Sequence, residues 1–145
     1  MLTTGYAGLF LTSFFAATII PLSSEAVLAG LMAVDSYSLL ALVIIATAGN
    51  TLGAIVNWVL GGWCLRFQDH KYFPISKANL EKAITRFEKW GHYSLLLAWV
   101  PIIGDPITFA AGVLRTPFLL FLILVTIGKG FRYVVIAAGV QNFIF

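Results

Sequence analysis

Charge is what this sequence has least of. Asp, Glu, Lys and Arg make up 10% of its 145 residues, whereas 60% are hydrophobic and the mean hydropathy is +0.95. A soluble domain carries about 25% charged residues, so a soluble globular fold is excluded. Cysteine is nearly absent too. Cys64 stands alone, which rules out an internal disulfide, and no metal-ligand spacing surrounds it. It reads as a small buried hydrophobe. His70 and His92 have no partner motif. There is no glycine-rich phosphate loop and no nucleophile beside an evident base, so neither an enzyme nor a cofactor, a metal or a nucleic-acid partner is expected. The first residues also lack the positive segment of a signal peptide, and Glu25 sits where a cleavage site would be. The N-terminal stretch is therefore expected to be retained.

What is present is apolar sequence of membrane length. Ser36 to Leu65 is a row of thirty residues without a charge, and Glu25 is the sole charge from Met1 to Val34. A bilayer core of about 30 Å needs roughly 20 apolar residues per spanning helix. The sequence therefore predicts an all-α integral membrane protein, a single membrane domain over 1–145, placed in a bacterial inner membrane and crossing it more than once.

The net charge of +3 is concentrated in one place. Arg66, Lys71, Lys77, Lys82, Arg86 and Lys89 face only Asp69, Glu81 and Glu88 between residues 66 and 92, and the other charges balance. Short basic loops stay cytoplasmic, so residues 66–92 are expected to be a cytoplasmic linker between repeats at 1–65 and 93–145. Within it Leu80, Ala83, Ile84, Phe87 and Trp90 recur at helical spacing. A helix is predicted from Ser76 to Trp90, preceded by Pro74 and ended by Gly91. Such a basic amphipathic helix suits the headgroup layer, either as a topology anchor or as an attractor of anionic lipid.

The chain repeats itself. Pro21-Leu22-Ser23-Ser24-Glu25 and Pro101-Ile102-Ile103-Gly104-Asp105 share the form Pro-x-x-x-acid, eighty residues apart. Ala29-Gly30 and Ala111-Gly112 follow them, and Thr47-Ala48-Gly49-Asn50 matches Thr126-Ile127-Gly128-Lys129. Each half reads as an apolar segment broken at 21–25 or 101–106 and followed by a long helix. Those helices are predicted from Tyr37 to Leu65 and from Pro117 onward. With the middle cytoplasmic, the halves enter from opposite sides as inverted repeats. The breaks, with tips at Pro21, Ser24, Pro101, Gly104 and Pro106, then read as re-entrant hairpins.

Ionisable residues inside apolar stretches are expensive and mark a pathway. Here they are Glu25, Asp105, Lys129 and Arg132. Lys129 and Arg132, three apart, project from roughly one helix face. One reading pairs these acids and bases as internal braces. The other makes Lys129 and Arg132 a phosphate clamp, with Glu25 or Asp105 loading and releasing a proton. Arg115, between Gly112 and Pro117, suits a helix turn from which it snorkels to a headgroup as a further phosphate ligand. Gly49, Gly53, Asn57 and Gly61 line one face for close packing, within the chain or in a homo-oligomer, and Asn50 is a further packing residue. Trp58, Trp63, Tyr93 and Trp99 suit the interfacial belt.

Pro21-x-x-Ser24-Glu25, Gly49-Asn50-x-x-Gly53, Trp99-x-Pro101-x-x-Gly104-Asp105, Ala111-Gly112 and Gly128-Lys129-x-x-Arg132-Tyr133 together resemble the DedA superfamily. This is the SNARE-associated or VTT-domain family, and the resemblance is nearest to its small YqaA-like branch. It covers nearly the whole chain. It implies paired re-entrant hairpins and movement of phospholipids or polyprenyl phosphates between leaflets, in several relatives driven by protons. The family's hairpin acid falls on Glu25 and its hairpin proline on Pro101. The arginines that flank that proline in the wider family are replaced here by Ala98 and Gly104, so the substrate is not inherited. The function expected is a flippase or scramblase for a phosphate-bearing lipid. A structural or assembly protein and a small-ion carrier are the alternatives.

Overall fold

In a computed structural model the protein is described at residues 1–18, 23–63, 77–100 and 104–144. The described residues form helices and turns without a strand: α1 (Leu2–Ala16), α2 (Ser24–Met32), α3 (Leu39–Trp63), α4 (Lys77–Trp90), a 3₁₀ helix (Gly91–Trp99), α5 (Gly104–Val113) and α6 (Phe118–Ile144). Among the described residues, α3 and α6 alone are long and apolar enough to cross a bilayer, by length and composition. α2 and α5 start at Ser24 and Gly104, eighty residues apart, so Ser24, Glu25, Gly104, Asp105 and Pro106 are helical where breaks were expected, and the rest of 101–106 and residues 21–22 lie outside the described residues. Pro21 and Pro101 themselves lie outside the described residues.

The strongest membrane signal is the way α6 is turned. Leu119, Ile123, Ile127, Phe131 and Val134 follow one another at helical spacing, and all are exposed. Phe121, Val125, Lys129, Tyr133 and Ala137 form the buried face. Large apolar side chains thus face outward while an ammonium and a phenol face inward. Water would penalise that arrangement and hydrocarbon favours it.

The chain forms two compact units. The first comprises residues 1–53 and 129–145, and the second 54–128, so each long helix gives one part to each unit. In the first, Leu9, Leu28, Leu42, Ala46 and Tyr133 form the core, with α1 packed on α2. α3 can lie against α1 because Gly49 and Gly53 offer no side chain where the carbonyls of Phe10 and Phe14 approach. Asn50 Nδ2 then donates to Ser13 O at 2.9 Å. α3 starts at Leu39 rather than Tyr37 because Tyr37 belongs to the preceding turn. Its ring meets Tyr6 edge-on, and Tyr6 Oη accepts from the Ser38 N–H at 3.2 Å.

The second unit has its own core of Ala54, Phe87, Leu95, Ala98, Ile107, Phe109, Phe121 and Val125. α4 ends where expected, at Gly91 with φ +64°. Its Phe87 and Ile84 pack into this core, so part of the apolar side expected in the headgroup layer meets protein instead. The 3₁₀ helix is a departure from a simple α-helical reading of the second half. It runs nine residues, beyond the usual three or four, and Ser94 Oγ bonds back to Gly91 O at 2.8 Å.

Candidate functional site

The first unit gathers its polar groups at the start of α2. Ser23 caps that helix, its hydroxyl accepting from Ala26 N–H at 3.3 Å. Glu25 thereby falls in the first turn, where the helix dipole favours a carboxylate. Two adjacent residues of α6 clasp two adjacent residues of α2. Arg132 Nη2 forms an ion pair with Glu25 Oε1, and Ser24 Oγ shares a hydrogen bond of 2.8 Å with Tyr133 Oη. The ion-paired side chains are 28% exposed for Glu25 and 15% for Arg132, while Ser24 and Tyr133 are fully buried. Lys129, one turn earlier on α6, is buried as well. Lys129 and Arg132 both lie in the middle of α6. The structure resolves which charges pair for Glu25, a point the sequence leaves open.

More polar capacity lies nearby in the same unit. Ser13 Oγ, Asn50 Oδ1 and Thr51 Oγ1 are buried without a hydrogen-bond partner among the described residues. Buried polar atoms are normally satisfied, so this unit can take up further hydrogen bonds from water or a polar ligand.

Asn57, Gly104, Asp105, Pro106 and Arg115 belong to the second unit. Gly104 starts α5 against the carbonyl of Ala98, and half-buried Asp105 and Pro106 complete its first turn. Pro fits there because a first-turn N–H has no partner within the helix. Asp105 O accepts from Thr108 Oγ1 at 2.8 Å, and Asn57 Nδ2 donates to that hydroxyl at 3.3 Å. Arg115 is exposed at the turn between α5 and α6. Ten residues of mostly helical rise, roughly 15 Å, separate it from Asp105. Acid and guanidinium thus stand at opposite ends of α5.

Tyr133 is the site residue that sequence reasoning missed. It appeared only as part of a motif, and nothing local announces a partner 109 positions away. Tyr133→Phe should leave the Ser24 hydroxyl buried without its partner, at a cost of about 1–3 kcal/mol. Thermal unfolding in lipid nanodiscs checks this, and an unchanged midpoint would contradict it.

Residues 20–142 match the model of the VTT domain. The chain is 35% identical over 133 residues to "Inner membrane protein YqaA" of Escherichia coli (strain K12), covering 90% of this chain and 87% of that protein. It is similar to the protein of the same description in Shigella flexneri to the same degree. It is also 32% identical over 133 residues to an uncharacterized protein of Haemophilus influenzae, covering 87% of this chain and 81% of the other. No solved structure matches.

Proposed function

This chain belongs to the VTT-domain, or DedA, family of membrane proteins, and on that footing we propose that it moves a phosphate-bearing lipid between leaflets. The observation that carries the reading is the Glu25–Arg132 ion pair beside buried Lys129, on a helix whose outer face is apolar. Two cationic groups set one turn apart on α6 offer an anionic cargo a shared binding place beside Glu25. A phosphate is such a cargo. A guanidinium binds it through two parallel hydrogen bonds, and an ammonium adds a point charge.

The same pair supplies a route to proton coupling. While Glu25 is ionised it occupies Arg132. A proton on Glu25 removes that competition, and the phosphate takes the carboxylate's place on the guanidinium. Loss of the proton restores the ion pair and releases the lipid. Asp105, in the first turn of α5, is the corresponding acid of the second half.

The short helices support a re-entrant arrangement with inverted halves. α2 has 9 residues and α5 has 10, which gives each roughly 15 Å at 1.5 Å per residue. That is about half of a bilayer core. Broken segments of this kind suit a site near the midplane, with α3 and α6 as the full crossings of a multi-pass inner-membrane protein.

Leaflet exchange of labelled phosphatidylglycerol and of a labelled polyprenyl phosphate, in proteoliposomes with and without a pH gradient, tests the proposal. Folded protein should accelerate exchange of at least one of them, and the gradient should change the rate. Exchange of neither lipid under either condition would sink it.

A further inference from the structure

Arg115 occupies a position that chains normally give to glycine. The end of α5 closes with two reverse hydrogen bonds, Thr116 N–H to Ala111 O at 3.0 Å and Arg115 N–H to Gly112 O at 3.1 Å. This is the Schellman arrangement, in which the first residue past the cap is left-handed and usually Gly. Here that residue is arginine with φ 53°, the one left-handed non-glycine among the described residues. A strained conformation of that kind persists where something else is gained. Its effect is to hold the guanidinium out at the surface of the turn.

The turn borders a cleft of about 490 Å³, lined mainly by apolar surface from Trp58, Trp63, Gly112 and Phe118. Trp58 Nε1 donates to Thr116 O at 3.2 Å and braces one wall. Thr116 also lines the cleft, and its buried hydroxyl has no hydrogen-bond partner among the described residues. Phe118 opens α6, a helix of membrane length, and Trp63 stands near the end of the charge-free run of Ser36 to Leu65, so a cleft touching both residues reads as lying at a membrane boundary. The basic segment begins three residues after Trp63 at Arg66, so by the positive-inside rule the boundary is the cytoplasmic one.

We propose that this cleft is an interfacial binding site for a glycerophospholipid of the cytoplasmic leaflet. Arg115 holds its phosphate, and Trp58, Trp63 and Phe118 receive the upper part of its acyl chains. Charge complementarity and depth select that occupant. The cation stands at headgroup level above an apolar wall, which suits neither a free anion nor a wholly apolar molecule. The site is separate from the Glu25–Arg132 pair and does not depend on transport.

Native mass spectrometry of the full chain, released from detergent after incubation with dioleoylphosphatidylglycerol or dioleoylglycerol, reads this directly. The unaltered chain should retain the phospholipid in preference to the diacylglycerol. Arg115→Gly should lower phospholipid retention roughly tenfold, as loss of a charge-assisted phosphate contact does. The same variant should melt at a higher temperature, because glycine relieves the left-handed backbone. Arg115→Lys, which keeps the charge without the fork, should retain an intermediate amount. Equal retention by Arg115→Gly and the unaltered chain would overturn the proposal. So would equal retention of the two lipids, or displacement of the phospholipid by millimolar inorganic phosphate. Binding is read at equilibrium, so a failure of leaflet exchange leaves this result standing, and the reverse holds.

Discussion

Arg132→Gln on its own is expected to destabilise the folded chain by about 3–5 kcal/mol, because it strands the Glu25 carboxylate in a largely shielded site. Glu25→Gln should do the same to the guanidinium. The double substitution removes both charges and should recover most of the loss, since two neutral amides can bond to each other. The informative result is what the double variant does to lipids. If the pair is a brace, a folded double variant keeps its function. If Arg132 holds the phosphate and Glu25 the proton, the folded double variant moves no lipid and ignores the pH gradient. Unfolding midpoints and leaflet exchange, measured on the same four proteins, separate the two outcomes.

A second large effect is expected at neighbouring glycines with opposite surroundings. In the second unit α3 and α5 approach so closely that Gly61 meets the carbonyl of Phe109, and Gly112 meets the carbonyl of Trp58. The obstacle in each case is backbone, which cannot rotate aside. Gly61→Ala should cost about 1–3 kcal/mol or more by forcing the helices apart, and Gly61→Val should leave little folded chain. Gly62, the next residue, has its nearest obstacle 3.6 Å away, in ordinary contact. Gly62→Ala should therefore be neutral or stabilise by up to about 1 kcal/mol through helix propensity. If the two alanine variants melt alike in nanodiscs, the close crossing is wrong.

Much of this was legible in the residues because membranes impose coarse rules. Sparse charge identified the solvent, and the acids of the Pro-x-x-x-acid repeat, read as hairpin tips, fall in the first turns of α2 and α5. The 79-residue offset of the later match carries over to α3 and α6, which begin at Leu39 and Phe118. Gly91 was readable as a helix stop because a left-handed residue there favours glycine. The same rule hid Arg115. A turn was evident between Gly112 and Pro117, but no pattern signals that an arginine takes the strained position. The 3₁₀ helix was hidden for another reason, since its run of apolar residues lacks the polar spacing that separates a period of 3.0 from 3.6. The Ser24–Tyr133 and Glu25–Arg132 contacts were beyond reach as pairs. Each joins residues more than a hundred positions apart, and candidate charges do not say which of them meet.

The division of the long helices has a consequence for how the chain is made. Residues 1–53 complete their compact unit only with residues 129–145, and the whole of the second unit lies between them in sequence. A ribosome adding about 5–20 residues per second needs roughly 4–15 s to synthesise the intervening stretch. Throughout that interval α2 is present while Arg132 and Tyr133 are not. The Glu25 carboxylate precedes its ion-pair partner by 107 residues of synthesis. The first unit therefore closes only when the last residues of α6 have been made.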